Sequence, residues 1–170
     1  MVSSHSQKIS YRGTQFLAAI LDLTPGLRQK TLESVEASDF TTEPYRLIYK
    51  TMLEIPGLGT ISGREAMGLA LYDQAVANGS LNGEFGFSVQ QALLDIATNQ
   101  STGDMALPLA KALREDRFRN ETCAIFSRLA KETKTAPLET IQASLKEVYQ
   151  PEIDLFLRIE QPHRRLKEAA

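Results

Sequence analysis

Residues 37–54 read Ala-Ser-Asp-Phe-Thr-Thr-Glu-Pro-Tyr-Arg-Leu-Ile-Tyr-Lys-Thr-Met-Leu-Glu. Thr41 or Thr42 can cap a helix here, with Glu43 and Pro44 in the first turn, where unpaired N–H groups favour a carboxylate and tolerate proline. Tyr45, Ile48, Tyr49 and Met52 then recur at helical spacing, and Leu47 and Leu53 widen the stripe. Arg46, Lys50 and Glu54 are expected to point away. The stretch holds a packing helix and no candidate catalytic group.

Working outward, every further segment has the same period. Phe16, Leu17, Ile20 and Leu21 form a tight apolar face on a helix expected from Thr14, after a polar N-terminal tail over residues 1–13 that is expected to be disordered. Pro25-Gly26 should break it. A short helix over 27–35 would then carry Leu27, Leu32 and Val35 inward. Ser62 is placed to cap a helix over 64–77 with Met67, Leu69, Leu71, Tyr72 and Val76 on its apolar side. Gly79 to Gly86 reads as a flexible loop, and Ser88 as the cap of a helix over 89–98 whose core side is Val89, Leu93, Leu94 and Ile96.

The longest signal runs over 106–133, with Pro108 in its first turn and a stripe of Leu109, Leu113, Phe118, Ile125, Phe126 and Leu129. A second helix starts at Pro137 and repeats Leu138, Ile141, Leu145 and Val148. The short link between them predicts an antiparallel hairpin. Gln150-Pro151 should interrupt it, and residues 150–170 read as a linker-like segment. No strand-period segment is present. The expected fold is all-α, a compact helical bundle over 14–104 followed by a long antiparallel helical hairpin over 105–149.

Composition bounds the function. A chain of 170 residues that is 42% hydrophobic and 24% charged is an ordinary globular chain, large enough for a sizeable core. Its net charge of −2 argues against a general nucleic-acid binder. The charge is uneven, however: Glu65 to Ala110 holds five acids and no Lys or Arg, whereas Lys111 to Lys134 holds seven bases against four acids. The basic run reads either as a solvated helix face or as a phosphate-binding stripe formed by Arg114, Arg117, Arg119, Arg128 and Lys131. Without a signal-peptide apolar region or a run long enough to span a bilayer, the expected location is cytoplasmic, with no membrane partner.

Catalytic constellations are not found. The two histidines, His5 and His163, lie in opposite tails, and the single Cys123 reads as a small buried side chain, so no zinc spacing exists. Gly57, Gly59 and Gly63 lack the dinucleotide fingerprint, and no Gly-Lys-Ser/Thr is present to hold a triphosphate and magnesium. No cofactor is expected. Glu33, Glu36 and Asp39, spaced by threes, could line one helical edge, as in all-α divalent-metal nucleotide hydrolases, but such sites need a second acidic set on a facing helix. Three glycosylation-like triplets, at Asn78, Asn99 and Asn120, read as chance without a secretory signal.

The order of elements then carries a resemblance. A Gln15-to-Leu21 helix is followed by Asp39-Phe40, by an Arg46-Leu-Ile-Tyr49 helix and by Gln91-Ala-Leu-Leu-Asp-Ile. A hairpin opening on Leu-Arg-Glu-Asp-Arg-Phe-Arg-Asn-Glu completes the series. Over about residues 14–149 this resembles the N-terminal domain of the bacterial replicative DNA helicase (DnaB type), a domain related to the helicase-binding C-terminal domain of bacterial primase. Thr41 stands where that family often has tyrosine, and its usual histidine before the Arg-x-Ile-Phe element is absent. The resemblance implies a non-catalytic protein-interaction and oligomerisation domain acting in DNA replication. Its implied partners are further copies of itself and a primase or helicase loader, and a full-length parent would be an ATP-dependent helicase. Phe118, Ile125, Phe126, Leu129, Leu138, Ile141, Leu145 and Val148 are the expected hairpin and interface residues. The alternative is that all eight pack within the monomer. DNA contact through the five basic residues would be weak or indirect.

Overall fold

The computed structural model of the chain describes residues 4–160, with side chains over 11–147 and 149–159. It is all-α. Seven α-helices run in order: α1 Ser4–Asp22, α2 Pro25–Glu33, α3 Glu43–Leu53, α4 Arg64–Ala77, α5 Gly86–Thr98, α6 Ala106–Glu132 and α7 Leu138–Glu160. Two 3-10 turns, Ala37–Asp39 and Gly103–Met105, complete the elements, and no strand occurs among the described residues. The chain forms two compact units, Met1–Leu113 and Arg114–Ala170, with the division inside α6.

In the first unit the core is one apolar cluster drawn from α1 to α6. α1 is its axis: Phe16 to Ile20 are fully buried, and it contacts α2, α3, α4 and α5. The rings of Phe16 and Phe40 lie 6.0 Å apart and those of Phe40 and Tyr49 5.3 Å apart, in tilted geometry that favours edge-on contact. α3 follows its sequence over most of its length, but Leu53, expected on the apolar stripe, is exposed, and Arg46, expected to point away, is half-buried and donates to Phe40 O at 2.8 Å. Tyr45, Ile48, Tyr49 and Met52 are buried, and each tyrosine hydroxyl is also used. Tyr49 donates to the carbonyls of Leu32 (3.1 Å) and Val35 (2.8 Å), and the Tyr45 oxygen accepts from Thr14 at 2.7 Å. Thr42 is the N-cap, but through its backbone; its side chain makes no cap bond.

Several expectations are corrected. α1 begins at Ser4, well before Thr14. α1 ends at Asp22, so the break expected at Pro25-Gly26 holds, but α2 starts at Pro25 itself rather than at Leu27, because a first-turn proline loses no hydrogen bond. Leu27 is exposed, and Arg28 occupies the inward face beside Thr31 and Leu32. Gly63, at φ +86°, stands at the N-cap of α4 where Ser62 was expected, and α5 starts at Gly86 with Phe85 before it rather than Ser88. The loop before α5 is a succession of hydrogen-bonded turns, Gly79 O accepting from Asn82 and Gly83 O from Gly86. On α4 and α5, Leu69, Tyr72, Val76 and Leu94 are exposed; Ala75 and Ala92 are among the residues that fill the core positions. Cys123 is exposed, not buried.

α7 also continues through Pro151 to Glu160. The proline lies on the exposed side, where the carbonyl left without a donor can be met by water. On the next turn the Gln150 amide donates to Asp154 at 3.0 Å, bridging the proline along the helix.

Two buried or half-buried arginines tie the first unit together, and neither uses a carboxylate. Arg28, with no exposed surface, donates to the carbonyls of Ile20 (3.2 Å), Leu23 (2.7 Å), Leu58 (3.1 Å) and Ile61 (2.8 Å). It thereby satisfies carbonyls at the end of α1 and pins the loop between α3 and α4. Burial pushes its pKa below the ordinary arginine value. Arg64 does the same at the end of α5, donating to Ser101 O (3.0 Å), Ala18 O (3.3 Å) and Asn99 O.

Candidate interaction surface on the hairpin

The second unit is built from α6 and α7, joined by a tight link in which Ala136 N–H donates to Glu132 O at 2.8 Å. The helices run antiparallel in a single register. Phe118 meets Phe156 with ring centroids 5.8 Å apart, and one turn further along α6 Thr122 donates a 2.7 Å hydrogen bond to Glu152. Each turn forward in α6 thus faces a turn back in α7.

Between them lies a groove of about 450 Å³. Phe118, Ile125, Phe126 and Leu129 line it from α6, and Leu145, Tyr149, Ile153 and Phe156 from α7, with Thr122 and Glu152 the polar exception. Leu129 is buried at its base and Phe118 and Ile125 are half-buried, which is ordinary hairpin packing. Phe126, Leu145, Tyr149 and Phe156 are different: they are 66%, 51%, 70% and 51% exposed. Four large apolar side chains around one groove leave substantial apolar surface in water.

Of the eight residues expected from the sequence, five line the groove. Leu138 is exposed and Ile141 half-buried outside it, while the side chain of Val148 lies outside the described residues. Tyr149 lies inside the expected hairpin but off the repeat of Leu138, Ile141, Leu145 and Val148, while Glu152, Ile153 and Phe156 lie beyond Pro151, where the sequence predicts an interruption. The signal that could have found them is the stripe spacing itself, which continues from Leu145 through Tyr149 and Glu152 to Phe156.

The basic run is largely engaged within its own helix. Arg117 pairs with Glu121 at 2.7 Å, Arg128 with Glu132 at 3.7 Å, and Arg119 with Glu115 and Asp116 at 3.6 and 3.7 Å. Arg114 is buried, and Lys131 is exposed. These pairs at i, i+3 and i, i+4 set a carboxylate beside each of Arg117, Arg119 and Arg128.

The acidic trio is spent on local structure. Asp39 is buried, its Oδ2 accepts the Glu36 N–H at 2.8 Å, and the two residues form a reciprocal capping box around the 3-10 turn. Glu33 is exposed and accepts from Gln29. Among the described residues no cluster of three metal-ligating side chains occurs. His5 falls in α1 with its side chain outside the described residues, as is the whole of His163. The first unit has an open cleft of about 810 Å³ with a mixed polar and apolar lining that includes Thr14, Tyr45, Asp95, Asn99 and Met105. Among the residues that line it, Asp95 is the single carboxylate.

In comparisons with known proteins, no family model, no curated protein and no solved structure matches this chain.

Proposed function

We propose that the chain is a non-catalytic protein-interaction and oligomerisation domain of the replicative-helicase N-terminal type. It acts in DNA replication by self-association through the α6/α7 hairpin and by binding a primase or helicase loader in the cytoplasm. The observation that carries this reading is the exposure of Phe126, Leu145, Tyr149 and Phe156 around one apolar groove. In water these side chains remain an unfavourable surface that a helical partner would cover. The element order of the sequence supports the helicase-type assignment. In this reading ATP hydrolysis belongs to a separate P-loop domain of the parent helicase. No helix among the described residues is long and apolar enough to cross a membrane.

Sedimentation equilibrium over a concentration series tests the self-association. Oligomers are expected that dissociate in a Phe126→Ser/Tyr149→Ser variant. A chain that stays monomeric at the highest concentration reached removes the collar-type role. Binding of the cognate primase or loader to the immobilised chain tests the other half, and failure of both partners to bind removes that.

A further inference from the structure

Helix α4 has two apolar faces. Met67, Leu71 and Ala75 recur every fourth residue and are buried in the core of the first unit. Leu69, Tyr72 and Val76 are 63%, 52% and 50% exposed. At 3.6 residues per turn the centres of the two sets lie roughly 130° apart around the axis, so the core that covers one leaves the other in water. A lone exposed leucine needs no explanation. Three large apolar side chains at i, i+3 and i+7, on a helix whose core face is already filled, form the stripe that receives a partner helix.

The charge around the stripe selects the partner. Glu65 stands one turn before Leu69 and Asp73 one turn after it, and both are exposed. Within α4 the one base is Arg64, and its guanidinium is engaged by the carbonyls of Asn99 and Ser101. A nucleic acid or an anionic bilayer would be repelled, and a second copy docking by the same face would set acid against acid. We propose that the outer face of α4 docks a basic amphipathic helical segment of a partner protein. Its apolar residues cover Leu69, Tyr72 and Val76, and its Lys or Arg side chains meet Glu65 and Asp73. The tyrosine suits such a site, since its ring gives apolar area while its hydroxyl stays wet. This surface is on a different helix from the hairpin groove, and the proposal stands whether or not the hairpin self-associates.

Amide chemical-shift mapping of the full chain tests it, with a designed helical peptide carrying Leu at i, i+3 and i+7 and Lys on either flank. Shifts concentrated over residues 65–77 are expected. Leu69→Ser/Val76→Ser should weaken binding about tenfold or more, the usual loss when two buried anchors are truncated. Glu65→Lys/Asp73→Lys should abolish it while keeping the apolar stripe, and the same peptide with Glu in place of Lys should not bind. All four substitutions are at exposed positions, and thermal melts check that each variant is folded. The proposal is overturned if no binding is detected, if the shifts fall outside α4, or if the charge-reversed variant or the acidic peptide binds as well as the original pair.

Discussion

Across the hairpin, the Thr122 hydroxyl donates a 2.7 Å hydrogen bond to the Glu152 carboxylate in an otherwise apolar seam. A polar pair in such a seam fixes register, because sliding either helix by one turn leaves a half-buried carboxylate facing apolar side chains. Thr122→Val should lower stability by about 1 kcal/mol. The double change Thr122→Val/Glu152→Leu should restore or exceed the original stability, since replacing both partners by apolar groups removes the desolvation cost. Urea denaturation of the single and double variants measures both. A double variant weaker than Thr122→Val would show that the pair contributes net stability rather than register.

Arg28 is a second place where a single side chain decides the structure. Its guanidinium takes four carbonyls from two segments, the end of α1 and the loop after α3, a geometry a lysine ammonium cannot reproduce. Arg28→Met should cost about 3 kcal/mol or more, because several buried acceptors lose their donor at once. Arg28→Lys should recover only part of that loss. Denaturant midpoints give the comparison, and a Lys variant equal to the original would argue against the fork geometry.

Gly86 is required by contact rather than by dihedral angle. A Cβ built there would stand 2.2 Å from the carbonyl oxygen of Leu81, and that atom is backbone. Gly86→Ala must therefore displace either the start of α5 or the preceding turn. The expected destabilisation is about 2 kcal/mol, in the range of overpacking changes. Gly68→Ala, which meets nothing within 4 Å, is the control and should leave the melting temperature unchanged or slightly raised.

Cys123 is exposed on α6, so its thiol should react stoichiometrically with a disulfide reagent under native conditions. The absorbance of the released thiolate reports the extent of reaction. Labelling seen only after unfolding would contradict its exposure.

The parts of the fold legible from the sequence are those decided by local pattern. In α3, the proline and glutamate of the first turn and one apolar stripe agree on a single buried face, and the structure buries that face. The hairpin is similar, since two long stripes and a short link leave little freedom in how the helices meet. Pattern misled where a helix has apolar residues on opposite sides. Met67 and Leu69 are equally hydrophobic in the sequence, and only the packing of α1 and α3 against α4 decides that Met67 is buried and Leu69 is not. Pro151 misled for another reason: a proline's cost in a helix depends on whether its freed carbonyl meets water, which the sequence does not state.

The sequence by itself determined an all-α chain, the positions of its inner helices to within a few residues though not the start of α1 or the end of α7, and the absence of a P-loop motif. Periodicity, turn residues and motif spacing are local properties, so they survive without knowledge of the fold. Only the tertiary structure decided which charges go inside. Read along the chain, no local signal marks Arg28 for the interior, and Glu33, Glu36 and Asp39 could line a metal site. In space, the end of α1 and the loop after α3 converge carbonyls on Arg28 in place of water, and the 3-10 turn consumes the carboxylates of Glu36 and Asp39 as caps. Burying a charge is favourable only when enough partners replace its hydration, and those partners come from segments distant in sequence.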